Sequence, residues 1–173
     1  MVSALLEKLR KHSEHPLERL TEIGLREKMI FLDVGCLLGF YSYYASSIVG
    51  EKGLVYALDI NPDCIAYAEN KIKRQGTRNI KTIIASAEKT GLPSGSVDMV
   101  FLNLVLHGIP DKQAATQEFN RVLKTNGKLV INEDQTMPLS SIRKLAEEHG
   151  FEYSTCLRKT TQIFEKTQTI HSM

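Results

Sequence analysis

The stretch Met29-Ile30-Phe31-Leu32-Asp33-Val34-Gly35-Cys36-Leu37-Leu38-Gly39-Phe40 limits what this chain can fold into more than any other. It opens with a short apolar run, which reads as a buried strand. An acidic residue and a glycine close that run, and a second glycine begins an amphipathic stretch. Strand, glycine turn, helix is the opening of a nucleotide-binding α/β unit. A buried parallel strand ends there, the chain reverses tightly, and the first N–H groups of the next helix are left free to meet a ligand. Gly-x-x-x-Gly is unspecific by itself, so the rest of the chain decides what kind of unit it opens.

Beyond this turn, strands and helices alternate. Residues 29–34 form the first strand and residues 40–49 a helix that can turn Tyr44, Ala45 and Ile48 to the sheet. Residues 54–59 form a second strand ending in the carboxylate Asp59. Asn61-Pro62 then supplies a cap and a proline at the first helical position, Ile65, Ala68 and Ile72 make the buried stripe, and Gly76 stops the helix. Strands follow at 80–85 and 97–103. Pro110-Asp111 opens a helix with Ala115, Phe119, Val122 and Leu123 inward, and Asn126-Gly127 makes a tight turn before a strand at 128–132. A helix at 141–149 closes at Gly150, and strands at 151–157 and 161–166 lie close enough to pair antiparallel. Ahead of the first strand, residues 2–11 read as a surface helix. Ser13 or Glu14 caps a second helix, with Pro16 in its first turn, Leu17, Leu20 and Ile23 on one face, and Gly24 at its end. This rhythm predicts an α/β Rossmann-like three-layer sandwich, a mostly parallel seven-stranded sheet with an antiparallel C-terminal strand. One domain is expected over residues 1–173: a helical segment, 1–24, either a solvated surface element or a lid over the ligand site, and a core at 25–167.

The totals narrow the function classes. A formal charge of +2 over 173 residues gives no electrostatic case for nucleic acid. No apolar run approaches a membrane span, and Glu7, Lys8 and Arg10 interrupt the leucines of the N-terminus, unlike a signal peptide. Cys36, Cys64 and Cys156 lack paired spacing, which points to reduced thiols in a cytoplasmic protein and to no metal site.

In such folds ligands bind at the carboxyl ends of the strands, where strand order switches. The sequence places Asp33, Gly35 and Gly39 at the first end, Asp59 at the second, Ser86 and Glu88 after the third, Asn103 and His107 after the fourth, and Asn132, Glu133 and Asp134 after the fifth. Asp59 follows the glycine turn by roughly 20 residues, the separation at which a carboxylate accepts ribose hydroxyls; a helix cap is the plainer role for it. His107 is a candidate base at the mouth of the site, since imidazole takes up and releases protons near neutrality, or else a helix-start residue. Glu133 and Asp134 either orient an acceptor or form a solvated loop. Tyr41, Tyr43 and Tyr44 read as packing residues.

With these residues in order, the chain resembles the class I S-adenosylmethionine-dependent methyltransferases, nearest to the branch that holds the quinone-biosynthesis enzymes. Asp33-Val34-Gly35-Cys36-x-x-Gly39-Phe40 is similar to that family's first motif, and Tyr56-Ala57-Leu58-Asp59-Ile60-Asn61-Pro62 to its second. Ala85-Ser86-Ala87-Glu88, Ser96-Val97-Asp98-Met99-Val100, Asn103-Leu104-Val105-Leu106-His107 and Val122-Leu123-Lys124-x-x-Gly127-Lys128 complete the series, covering roughly residues 20–167. The resemblance implies that Gly35, Cys36 and the turn to Gly39 hold the methionine end of S-adenosylmethionine, and that Asp33 reaches its amino group. It implies Asp59 on the ribose, Ile60 against the adenine, Ser86 and Ala87 at the adenine edge, and Asn103 near the sulfonium, with S-adenosylhomocysteine as product. The expected activity is in-line methyl transfer to a small molecule, by a monomer or homodimer. Two residues depart from the family pattern: Leu37 replaces its middle glycine, with Leu38 after it, and Ser86 replaces its adenine-binding aspartate. A cofactor-binding regulatory protein and an RNA or protein methyltransferase are the other readings. A Rossmann dehydrogenase is disfavoured, because Gly35 and Gly39 do not have the Gly-x-Gly-x-x-Gly spacing.

Overall fold

The computed structural model describes residues 15–134 and 136–167. The helix expected at 2–11 and the caps Ser13 and Glu14 lie outside the described residues. Helix α1, Pro16–Glu22, begins instead at His15, whose backbone is left-handed and whose side chain makes no capping bond. Gly24 ends α1 as expected: its N–H donates to the Thr21 carbonyl, and that of Leu25 to the Leu20 carbonyl, the paired bonds of a Schellman motif, with both leucines buried. Leu17 departs from its expected inward position and is exposed, because only Leu20 and Ile23 reach the core.

Seven strands follow, β1 Ile30–Val34, β2 Leu54–Asp59, β3 Ile80–Ile84, β4 Val97–Asn103, β5 Leu123–Asn132, β6 Phe151–Leu157 and β7 Thr161–Lys166. They build one sheet in the order β3-β2-β1-β4-β5-β7-β6. β1 to β5 pair in parallel and β7 runs antiparallel between β5 and β6, the mostly parallel α/β architecture expected. β5 starts earlier than the sequence suggests. Leu123 pairs with Val97 and Lys128 with Met99, so the Asn126-Gly127 turn is a bulge inside the strand, with Asn126 at φ +62°.

Four further helices cover the faces: α2 Phe40–Val49, α3 Pro62–Arg74, α4 Lys112–Val122 and α5 Leu139–Glu148. Two of their starts follow the sequence chemistry. The Asn61 side chain accepts from the Asp63 N–H at 2.9 Å, and the Asp111 carboxylate from the Ala114 N–H at 2.9 Å. Residues of α1, α2 and α3 pack with Phe31, Met99, Phe101 and Val130 on one face. Those of α4 and α5 pack with Leu32, Val100, Leu129 and Phe164 on the other. The buried stripe of α2 is Tyr41, Ser42, Ala45, Ser46 and Val49; Tyr44 and Ile48, expected inward, are half-buried. The reason is a polar anchor. Ser42 faces the sheet because its hydroxyl donates to the Asp33 carboxylate at 2.6 Å, which turns the helix by part of a step. Strand order reverses between β1 and β4, and a cleft opens there at the carboxyl ends.

Candidate active site

The turn after β1 is built from left-handed residues. Gly35 has φ +66°, Leu37 +50° and Gly39 +69°. Gly35 must be glycine on two counts, because a Cβ there would also lie 2.6 and 2.8 Å from the methyls of Val105. Gly39 caps α2 where a Cβ would press on Ala68 of α3 at 3.2 Å. Leu37 holds the same backbone region without glycine's freedom, which costs ~1–2 kcal/mol. Its N–H donates to Asp59 Oδ2 at 2.8 Å, while the Asn61 N–H donates to Oδ1 at 2.9 Å. The carboxylate at the end of β2 therefore ties the first turn to the start of α3. Each of its oxygens keeps a lone pair for a ligand hydroxyl.

A cleft of about 280 Å³ lies above this carboxylate, lined by Gly35, Leu37, Asp59, Ile60, Ser86, Ala87, Glu88, Val105 and His107, among others. Gly35, Leu37, Asp59, Ile60, Ser86, Ala87, Glu88 and His107, all singled out in the sequence, thus meet at one place. Ile60 is 72 % exposed, an apolar face left open to the cleft. Asp33, Cys36, Gly39 and Asn103 stand behind its walls. Asp33 is buried beneath the turn, and burial pushes its carboxyl up to about 7 against the opposing hydrogen bonds of Ser42, with the nearby Asp59 adding to the rise. Burial also raises the Cys36 thiol, and Cys36 contributes backbone: its N–H donates to Leu58 and its carbonyl accepts from Gly39. Asn103 accepts at Oδ1 from Asn132 Nδ2 at 2.7 Å, and Asn132 Oδ1 accepts from the hydroxyls of Thr160 and Thr161 at 2.9 Å. Asn103 thus belongs to a polar ladder across β4, β5 and β7.

The sequence allows Glu133 a place in a solvated loop, and the structure corrects this. Its side chain is fully buried, one oxygen 2.9 Å from His107 Nδ1 and the other accepting the His107 backbone N–H at 3.2 Å. A carboxylate only accepts, so the ring nitrogen facing it carries the hydrogen, and in the neutral imidazole the lone pair is then on Nε2. Asp134 is exposed and accepts the Thr136 N–H at 2.8 Å. Glu133 also lines a second, open cavity of about 800 Å³, walled by Asp134, Thr136, Met137, Pro138, Leu139, Lys159 and Thr160. Two participants escape a reading of the sequence. Val105 occupies the space over Gly35, and Leu104 turns at φ +57° to bring it there; an apolar Leu-Val pair carries no signal of that. Tyr41, Tyr43 and Tyr44 pack edge to face with their neighbours, Phe40 and Phe101 included, as expected of packing residues. No group of His, Cys, Asp or Glu able to hold a metal occurs among the described residues.

Comparison with known proteins agrees with this geometry. A family model described as a methyltransferase domain matches residues 25–172. The ubiquinone/menaquinone biosynthesis C-methyltransferase UbiE of Shewanella sp. (strain ANA-3) is 32% identical over 129 residues, 74% of this chain and 51% of that protein. The demethylmenaquinone methyltransferase of Geobacillus stearothermophilus is 28% identical over 136 residues, 79% of this chain and 58% of that protein. The chain therefore spans somewhat more than half the length of these relatives. Among solved structures, a SAM-dependent methyltransferase from Aquifex aeolicus superposes with a TM-score of 0.79 at 27% identity, covering 92% of this chain and 96% of that one. With this match over most of its length, and with the glycine turn and strand-end carboxylate at the switch point of such a sheet, the chain belongs to the S-adenosylmethionine-dependent methyltransferase family.

Proposed function

We propose that the cleft binds S-adenosylmethionine and that the protein transfers its methyl group to a small-molecule acceptor. The observation that carries this reading is the convergence of Asp59, the exposed Ile60 and the Ser86-Ala87 pair on one cleft at the switch point. Asp59 offers lone pairs to two ribose hydroxyls, Ile60 an apolar platform for a purine, and Ser86 a neutral partner for its edge. Gly35 and the turn to Gly39, with Cys36 between them, would hold the methionine end, and Asp33 and Asn103 would support it from behind. The sulfonium supplies an already activated methyl group, so the protein's share is positioning. His107 Nε2, on the same cleft wall, would take a proton from the acceptor. The names of the curated relatives make a hydroquinone, which carries phenolic O–H groups, the first acceptor to try.

One observation favours a second reading, a binding protein with little turnover. The cleft is at the small end of ligand sites, which run ~300–1,000 Å³, and Leu37 and Val105 both stand in its wall. Calorimetric titration with S-adenosylmethionine and S-adenosylhomocysteine tests the proposal. Micromolar binding of both, with methyl transfer to an acceptor panel, is expected. Binding without transfer would favour the second reading, and binding of neither would overturn both.

A further inference from the structure

We propose that Glu133 is a positioning residue for His107, and that the pair restricts the acceptor to molecules whose reacting oxygen or nitrogen carries a proton, bound beside His107 at the mouth of the cofactor cleft. This rests on the methyl-transfer reading above.

His107 lines the cofactor cleft, and Glu133 stands buried behind it with both oxygens turned to it. A fully buried carboxylate in a loop is expensive unless its oxygens are paired. Here both are, and both partners belong to one residue: the backbone N–H and the ring Nδ1 of His107. The first bond fixes the turn at Leu106–Gly108, and the second fixes the ring's rotation and tautomer. The Glu133 N–H donates to the Thr160 carbonyl at 3.2 Å, so the carboxylate is itself held from β7's side. The result is an imidazole that presents Nε2 on a side chain still 42 % exposed. A merely structural histidine at a helix start needs no buried counter-charge and no open second nitrogen.

The chemistry balances on these two residues. As the acceptor oxygen or nitrogen bonds to the methyl carbon, its proton passes to Nε2, and the electron pair of the broken carbon–sulfur bond stays on sulfur. The positive charge leaves the sulfonium and reappears on the imidazole, 2.9 Å from a carboxylate already in place. A thiolate or other soft anion arrives deprotonated and gains nothing from this arrangement.

The test has two independent readouts on the full chain. In long-range proton–nitrogen spectra of protein labelled with 15N-histidine, the His107 ring, assigned by its loss in His107→Asn, carries hydrogen on Nδ1 in the wild type. In Glu133→Gln, whose amide can face the ring with either end, it divides between tautomers. The second readout uses S-adenosylmethionine with a phenol (catechol), an amine (benzylamine) and a thiol (thiophenol) as probes. His107→Asn and Glu133→Gln lower kcat for the phenol or amine by ~10²-fold or more, while KM and the cofactor Kd stay within about threefold. A His107 that carries its hydrogen on Nε2 in the wild type overturns the proposal. So does turnover of the thiol alone, or phenol turnover indifferent to both variants. Loss of cofactor binding in the wild type would instead strike the methyl-transfer reading, which the tautomer measurement does not touch.

Discussion

Leu37 permits a test in which strain and obstruction move different observables. A backbone angle common to the free and ligand-bound protein cancels from affinity, so the left-handed φ of +50° weakens folding alone. The side chain lines the cleft and acts on affinity. Leu37→Gly removes both; Leu37→Ala removes the side chain beyond Cβ and keeps the strain. On the folding side, relief of the left-handed conformation gains ~1–2 kcal/mol. Glycine's freedom in the unfolded chain costs ~0.5–1 kcal/mol, and losing a half-buried leucine costs ~1 kcal/mol. These offset, so Leu37→Gly should unfold in urea within about 1 kcal/mol of wild type, with Leu37→Ala lower by about 1 kcal/mol. On the binding side, pushing a leucine off its preferred rotamer to widen the cleft costs ~0.5–1.5 kcal/mol. Both variants should therefore bind S-adenosylhomocysteine roughly 2–10-fold more tightly by calorimetry. Equal affinity in all three proteins would refute the obstruction, and equal destabilisation of the two variants would refute the strain.

Three other outcomes are expected. Gly35→Ala sets a Cβ 2.6 and 2.8 Å from the Val105 methyls at φ +66°, which should cost roughly 2–5 kcal/mol in denaturant unfolding; adding Val105→Ala should recover the crowding share and leave the strain, and no recovery would show the contact to be irrelevant. Asp33 holds its proton up to about 7 in the folded protein and releases it far lower when unfolded, so folding takes up a proton between those limits. Stability is then full below the ordinary carboxylate range, falls as pH rises and is lost by about pH 7, on the order of 4 kcal/mol in all. Asp33→Asn should flatten the thermal-melting profile between about pH 4 and 7 and stand above wild type at about pH 8; an unchanged slope would sink this account. Ser86→Asp exchanges a neutral adenine-edge partner for a charged one, about twice as strong. It should tighten S-adenosylmethionine binding roughly threefold, and weaker binding would place the adenine elsewhere.

Most of the fold was legible because its signals are local. The β4, β6 and β7 boundaries follow from alternating and β-branched runs, and α3 and α4 from Asn61, Asp111 and their neighbours. The bulge in β5 reads as a turn in the sequence, since a bulge is defined by the partner strand rather than by Asn126-Gly127 itself. The facing of α2 is displaced because Ser42 outweighs Tyr44: a 2.6 Å bond to a buried carboxylate needs that side turned inward, and hydropathy does not register it. The site divides in the same way. The cleft residues sit at strand ends that periodicity locates. Glu133 reads as a loop carboxylate until the fold brings His107, 26 residues away, against it. Val105 over Gly35 is likewise a contact between distant residues of unremarkable type.

The reversed strand has a consequence for the order in which the molecule is assembled. Because β7 runs against its neighbours, the turn joining it to β6 returns to the carboxyl ends of the parallel strands. There Arg158 clasps Glu22 across 136 residues of sequence, and Thr160 holds both Asn132 and the backbone of Glu133. Contacts of such long sequence separation close late, since the intervening chain must first be drawn together. During synthesis β1 to β3 leave the ribosome well before this closure. The histidine–carboxylate pair gains its last support only when residues 158–161 have emerged, so the wall of the cleft that carries His107 is the last to be fixed.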